Sequence, residues 1–205
     1  MPDLAERVAR FQRDVHPAKA DLFGHLASHH QPHTLFIGCS DARVVPELIT
    51  SCEPGELFVV RTAGNLVPAY DRRSGDGVTA SIEYAVAVLG VTDIVVCGHS
   101  ACGAMTALAE DHDLSGTPAI AHWLHHADAS RARATAAGDA GGVADLIRQN
   151  VRAQLANLVT HPAVAQARTE NAVRLHGWVY DIATGAVERT EAPREATPRD
   201  ATRTA

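Results

Sequence analysis

Two short apolar segments, 34–38 and 94–98, constrain the fold of this sequence more than any other feature. Both are too short for a helix, and continuous apolar character is typical of strands that are buried on both faces. A further segment of the same kind, 57–61, lies between them, and helical patterns separate the three. Buried strands that alternate with helices predict an α/β fold, with a mostly parallel β-sheet flanked by helices.

Side chains that bind metals follow the first and the last of these segments directly. Cys39 and Asp41 come after the first, and His99 and Cys102 come after the last. In parallel sheets, sites form beyond the carboxyl ends of strands at a topological switch point. If the two strands are neighbours, the four side chains converge there, and two thiolates, an imidazole and a carboxylate suit tetrahedral Zn²⁺. The sequence therefore predicts one zinc site, with a purely structural zinc as the alternative interpretation.

Arg43, two residues after Asp41, suggests how such a site becomes catalytic. The carboxylate is the hardest of the four ligands, and a guanidinium can compete for it through two parallel hydrogen bonds. When Arg43 holds Asp41, a water molecule can take the vacated position and lose a proton. This hypothesis makes Asp41 and Arg43 a catalytic pair. It also predicts activity that rises toward alkaline pH, because two thiolate ligands leave a bound water less acidic than three histidines do.

Composition and charge exclude several classes of protein. The formal net charge of −6 argues against a nucleic-acid partner, because such binding depends on clustered Lys and Arg. Residues 1–10 mix acids with bases and lack a long apolar segment, so we expect no secretion signal, no membrane span and a cytoplasmic location. Four cysteines predict metal ligands or buried thiols rather than disulfides, and Cys52 and Cys97 are interpreted as structural thiols.

The sequence predicts three regions: an N-terminal helical arm, 1–30, a zinc-containing α/β catalytic domain, 31–190, and a disordered tail, 191–205. The tail is rich in Pro, Thr and charge and has almost no large apolar residues. The arm carries an apolar stripe at helical spacing, formed by Leu4, Val8, Phe11 and Val15. This stripe packs either on its own domain or on a partner subunit, and the sequence leaves both open.

The sequence resembles the β-class carbonic anhydrases over roughly 23–187. The motifs that carry the resemblance are CSDAR at 39–43, EPGELFVVR at 53–61, SIEYA at 81–85 and GHSACG at 98–103. Two later segments, 150–158 and 176–181, are similar to the plant-type members and to the bacterial subgroup linked to cyanate metabolism. The first and last of the four motifs are specific in combination.

The resemblance implies a zinc enzyme with one Zn²⁺ per chain. It implies Cys39, His99 and Cys102 as ligands, with Asp41 and Arg43 as the catalytic dyad. The implied reaction is the reversible hydration of carbon dioxide to bicarbonate and a proton by zinc-bound hydroxide. The implied assembly is a homodimer or a higher homo-oligomer.

The resemblance also implies a narrow apolar pocket for carbon dioxide, partly supplied by a second subunit. The residues implied to line it are Phe58, Ala63, Tyr84 and Gly103. Members of the family carry a substrate-contacting Gln at the position of His30, whereas Gln31 is displaced by one residue. Either the loop shifts so that Gln31 reaches the pocket, or His30 supplies the hydrogen bond.

One subgroup of the family has an inhibitory bicarbonate site, built from a Trp at the position of Phe36 and an Arg that matches Arg61. Because this chain lacks that indole, we expect its dyad to stay open at neutral pH. Two other functions remain open. The same zinc chemistry can act on carbonyl sulfide or carbon disulfide, or the chain is a non-enzymatic, zinc-stabilised interaction protein. Asp41 and Arg43 argue against the last, because a structural site needs no competing guanidinium.

Overall fold

A computed structural model of the protein describes residues 3–73, 75–136 and 142–190. The strands of this part of the chain form one sheet, in the order β2-β1-β3-β4-β5. Only β5 is antiparallel to its neighbour. The strands are β1 (Thr34–Cys39), β2 (Leu57–Thr62), β3 (Asp93–His99), β4 (Arg174–Tyr180) and β5 (Val187–Thr190). The predicted α/β fold with a mostly parallel sheet is confirmed.

Helices connect the strands and flank the sheet. They are α1 (Leu4–Arg10), α2 (Ala20–Leu26), α3 (Pro46–Thr50), α4 (Gly77–Glu83), α5 (Gly103–Ala109), α6 (Pro118–Leu124), α7 (Asp128–Ala136), α8 (Gly142–Val159) and α9 (Pro162–Thr169). Helices α3, α6 and α9 begin with proline, which has no N–H to leave unpaired in the first turn. Among the described residues, no helix is both long enough and apolar enough to cross a lipid bilayer.

Both faces of the central strands are buried, which explains why these strands are apolar throughout rather than alternating. One face of β1 and β3 packs against α8 and α9. Together they form a buried apolar cluster, whose residues include Leu35, Ile37, Ile94, Val96, Val151, Leu155, Leu158 and Val164. The opposite face buries Phe36, Val95 and Cys97, and the ring of Trp178 packs edge-on against Phe36. Cys97 is therefore a buried structural thiol, as predicted.

Strands β1 and β3 lie side by side, with Gly38 opposite Cys97. This is the arrangement on which the predicted convergence of ligands depends. The chain leaves β1 toward β2 on one side and leaves β3 toward β4 on the other, so a crevice opens between the two carboxyl ends. The fold therefore provides a switch point at the predicted site.

The N-terminal arm is helical, as predicted, and its apolar stripe is not buried by its own domain. Helix α1 has no buried residue, and a π-helical turn at Phe11–Val15 continues it. The stripe residues range from 43% to 74% exposed: Leu4, Val8, Phe11 and Val15. Among the described residues, the ring of Phe11 contacts two rings of the arm itself, those of His16 and Phe23. The predicted tail, 191–205, lies outside the described residues.

Candidate metal centre

Three of the predicted ligands meet in the crevice between β1 and β3. The sulfur atoms of Cys39 and Cys102 and a ring nitrogen of His99 lie within 4.8 Å of one another, and all three residues are buried. Cys39 ends β1 and His99 ends β3. Cys102 caps α5, and Ala101 before it adopts a left-handed conformation with a φ of 53° that turns the chain. Residues some sixty positions apart in sequence therefore form one cluster.

The imidazole of His99 is held in the tautomer that binds metals. Its Nδ1 lies 2.9 Å from the carbonyl oxygen of Ser100, which can only accept, so Nδ1 carries the proton and Nε2 keeps a lone pair. Nε2 is buried and has no hydrogen-bond partner among the described residues. Leaving a buried acceptor unpaired is unfavourable, and a cation would satisfy it. Together with two buried sulfurs, this unpaired nitrogen fits a zinc ion.

The two sulfur atoms of this cluster shift each other's pKa in opposite directions. Contact with the Cys102 side chain lowers the pKa of Cys39, against the opposing effect of burial. Smaller contributions to the lower pKa come from His99 and from the backbone of Asp41 and Gly64. The same contact with Cys39, followed by burial, raises the pKa of Cys102. A thiolate is thus already favoured at the cluster, as a metal ligand must be.

Asp41 lies at the edge of the cluster and is held by Arg43. Arg43 donates from Nε to Oδ1 at 2.9 Å and from Nη2 to Oδ2 at 2.6 Å, and its backbone N–H also donates to Oδ1. These bonds hold the pKa of Asp41 well below its usual range. Asp41 Oδ2 is 3.9 Å from His99 Nε2. Arg43 also donates to the carbonyl oxygen of Ala101 at 3.0 Å, so it joins the two segments that carry the ligands.

A second arginine, Arg61, fixes the loop that carries Asp41. Its guanidinium donates to the carbonyl oxygens of Cys39 at 3.1 Å, Asp41 at 2.6 Å and Val44 at 2.8 Å. Sequence reasoning related Arg61 only to an inhibitory anion site and did not predict this role. The available signal was a cation at the end of an otherwise apolar segment, 57–61.

The predicted substrate residues fall into two groups. Gly103 directly follows Cys102, and Ala63 follows β2 where Thr62 pairs with Cys39. Phe58 instead pairs with Leu35, at the other end of β2. A rise of about 3.3 Å per residue puts Phe58 about 13 Å along the strand from Thr62. Within one chain, Phe58 is therefore remote from the cluster.

Phe58 belongs to a separate aromatic group. Its ring centroid is 5.9 Å from that of Tyr84 and 6.4 Å from that of His30. Tyr84 is 43% exposed. His30 and Gln31 are both exposed, and the ring of His30 lies beside this group.

Comparison with known proteins agrees with this geometry. Residues 34–187 match the family model described as carbonic anhydrase. A carbonic anhydrase of Pseudomonas aeruginosa is 57% identical over 191 residues, which cover 92% of this chain and 86% of the relative. The family match therefore includes β1 to β4 and every predicted ligand.

Solved structures give the same result for the fold. The β-carbonic anhydrase CcaA superimposes with a TM-score of 0.86 at 38% identity, covering 92% of this chain and 93% of that one. One of two tetrameric β-carbonic anhydrases from the ascomycete Sordaria macrospora gives a TM-score of 0.74 at 32% identity, covering 92% of both chains. The likeness in sequence and the likeness in fold therefore each extend over 92% of the chain.

Proposed function

Because the chain belongs to the β-carbonic anhydrase family and is a carbonic anhydrase, we propose that its reaction takes place at the cluster of Cys39, His99 and Cys102. The reaction is the reversible hydration of carbon dioxide to bicarbonate and a proton. Membership of this enzyme family excludes the alternative of a non-enzymatic interaction protein. The observation that carries the proposed location is the buried, unpaired Nε2 of His99 beside two buried sulfurs.

These three residues would hold one zinc ion. Their softness suits zinc, and their burial keeps bulk water from competing for the ligand atoms. Zinc, when bound, would supply Lewis-acid activation of a water molecule, so that a nucleophile is available near neutral pH. Ser100 contributes by fixing the tautomer of His99 through its carbonyl oxygen.

Asp41 and Arg43 would act beside the ligands as the catalytic dyad. Held by Arg43, the Asp41 carboxylate keeps its charge and has a fixed direction. It can accept a hydrogen bond from the attacking water and so orient a lone pair of that water toward carbon dioxide. Coordination of zinc by Asp41 as a fourth ligand requires this pair to separate, and it stays a prediction of the sequence.

The aromatic group would complete the substrate pocket from a second subunit. Ala63 and Gly103 lie next to the ligands of their own chain, whereas Phe58, Tyr84 and His30 lie too far along the sheet to join them. A homodimer, or a larger homo-oligomer, would bring the two groups together. The exposed apolar stripe of the arm supports such an assembly, as do the tetrameric Sordaria relatives. A cytoplasmic location is likewise proposed from the sequence.

The location of the reaction is tested by two cysteine variants. Carbon dioxide hydration is followed by stopped flow, and zinc content is measured on the same samples. Cys102→Ala should lose zinc and activity together, because a ligand is removed. Cys97→Ala is the matched control, since Cys97 is also a buried thiol but lies on the opposite face of the sheet. Equal loss of zinc in both variants, or full activity in Cys102→Ala, would refute the proposed site.

The shared pocket is tested by mixing two inactive variants. His99→Ala removes a ligand, and Phe58→Ala together with Tyr84→Ala removes the aromatic group. If the pocket is shared, a mixed dimer has one intact composite site, so exchange of subunits should restore activity. A mixture that stays inactive, although mass spectrometry detects mixed dimers, would contradict the shared pocket.

A further inference from the structure

A chain of buried polar side chains runs from α7 through α8. Ser130 Oγ donates to Asn150 Oδ1 at 3.0 Å, and Gln154 Nε2 donates to the same oxygen at 2.9 Å. Ser130, Asn150 and Gln154 are at most 1% exposed. Buried polar side chains replace apolar packing, which would otherwise stabilise the fold. The hydrogen bonds that this network makes to other segments therefore indicate which part of the structure it holds in place.

Gln154 also bonds to His126 and Asn157, and two further hydrogen bonds of the network reach the loop that follows β2. Asn150 Nδ2 donates to the carbonyl oxygen of Gly64 at 2.9 Å, and Gln154 Oε1 accepts from the backbone N–H of Val67 at 2.9 Å. The loop has an unusual conformation, because Gly64 and Asn65 are both left-handed, with φ values of 73° and 49°. Such a conformation persists only where the surroundings determine it.

This loop lies between the two segments that carry the ligands. On one side, Thr62 pairs with Cys39, and its carbonyl oxygen accepts from the N–H of Ser40 at 3.0 Å. On the other side, a Cβ added to Gly64 would lie 3.1 Å from Cβ of Ala104, in the first turn of α5. The backbone of Gly64 thus fills the space between the end of β1 and the helix that Cys102 caps.

We propose that Asn150 is a positioning residue for the metal centre, which it serves by holding Gly64 in place between the segments that carry Cys39 and Cys102. This inference rests on the proposed zinc site. The hydrogen bonds of Asn150 join it to Ser130, Gln154 and Gly64, and it acts on the ligands through the carbonyl oxygen of Gly64. Gly64 lies two residues after Thr62, which pairs with Cys39 in the sheet. Loss of the amide frees the left-handed loop to shift, and the distance between the two sulfurs shifts with it.

The test compares zinc affinity in Asn150→Ala with that in Ser130→Ala, using the full chain and a chromophoric chelator as competitor. Ser130 is the matched control, because it is buried in the same network but bonds to Asn150 rather than to the loop. Asn150→Ala should weaken zinc binding by about tenfold, the low end for outer partners of metal ligands, and Ser130→Ala by less than about twofold. In cobalt-loaded protein, only Asn150→Ala should shift the thiolate-to-cobalt absorption band.

Unchanged affinity and an unchanged cobalt spectrum in Asn150→Ala would overturn the inference, as would equal losses in the two variants. A wild-type protein that binds no zinc would instead refute the proposed metal site. If circular dichroism finds Asn150→Ala unfolded, Gly64→Ala displaces the same loop directly. A Cβ at this position would lie 3.1 Å from Cβ of Ala104, and the φ of 73° is unfavourable for alanine. Weaker zinc binding in this variant supports the inference, and unchanged binding overturns it.

Discussion

The two ends of β3 each lie beside an aspartate paired with an arginine, but the two pairs are built differently. At the amino end, Asp93 bonds through both oxygens to Arg174, its partner across the sheet, and also accepts from His176 at 2.7 Å. At the carboxyl end, Asp41 bonds to Arg43, two residues further along the same loop. The same kind of ion pair therefore joins two neighbouring strands at the amino end and holds a single loop at the carboxyl end.

The surroundings of the two pairs show what separates structure from function. Arg174 and His176 both bond to Asp93, and none of the three has a buried polar atom without a partner in the described residues. Asp41 instead lies 3.9 Å from His99 Nε2, which is such an atom. A pair whose hydrogen bonds are complete stabilises the fold, whereas a pair beside an unsatisfied ligand is available for chemistry.

The largest expected effect follows from Asp41→Asn. The amide keeps the size of the side chain but loses the charge, so it cannot orient the attacking water in the same way. Stopped flow should find carbon dioxide hydration reduced by about 10²- to 10⁴-fold, the usual range for such proton-accepting groups. Zinc content should be unchanged. Asp93→Asn is the matched control at the other end of β3, and equal losses of activity in both would contradict the distinction.

Arg43→Ala should have the next largest effect on activity. Without the guanidinium, the Asp41 carboxylate is free to approach the metal, which traps the four-ligand form predicted from the sequence. We expect activity to fall by about tenfold or more at neutral pH, with zinc retained. Arg174→Ala is the control, because it frees Asp93 far from the ligands. Full activity in Arg43→Ala would refute the competition between Arg43 and zinc for Asp41.

Asp93→Asn should change stability rather than activity. The carboxylate is 18% exposed, but Arg174 is largely exposed, and solvent screening reduces the strength of the pair. We therefore expect the free energy of unfolding at neutral pH to fall by about 1 kcal/mol, measured by urea denaturation. Unchanged stability would mean that the amino end of the sheet does not depend on this pair.

The smallest effect is the pH dependence of that same difference. Arg174, and then His176 and Thr92, lower the pKa of Asp93 in the folded protein. A carboxyl group with a lowered pKa stabilises the fold above its unfolded pKa of about 4, and this contribution is lost as the pH falls below that value. The difference in unfolding free energy between wild type and Asp93→Asn should therefore shrink below about pH 4. A constant difference would show that the charge of Asp93 is not its cause.

The sequence predicted the parts of this molecule that depend on local pattern. Apolar segments gave the central strands, and the residues after them gave Cys39, His99 and Cys102. The convergence of these three followed from a general rule about parallel sheets, once β1 and β3 proved to be neighbours. Such features can be predicted because spacing along the chain largely determines them.

Features that depend on distant contacts could not be predicted in this way. Arg61 reaches three carbonyl oxygens of a loop some twenty residues earlier, and Asn150 reaches Gly64 across 86 positions. Asn150 has no local signature, because Asn in a helix is common on surfaces. The cation at the end of segment 57–61 singles out Arg61 but does not indicate which carbonyl oxygens it reaches. The separation of Phe58 from the ligands likewise became visible only through strand register.

The most direct test of the central claim is X-ray absorption at the zinc edge on the purified protein. If Cys39, Cys102 and His99 bind zinc, the spectrum should fit two sulfur atoms at about 2.3 Å and one nitrogen at about 2.0–2.1 Å, with one further light atom. Three or more sulfurs would mean that Cys52 or Cys97 is a ligand, and zinc without sulfur would place the metal elsewhere. Either result would contradict the metal centre between β1 and β3.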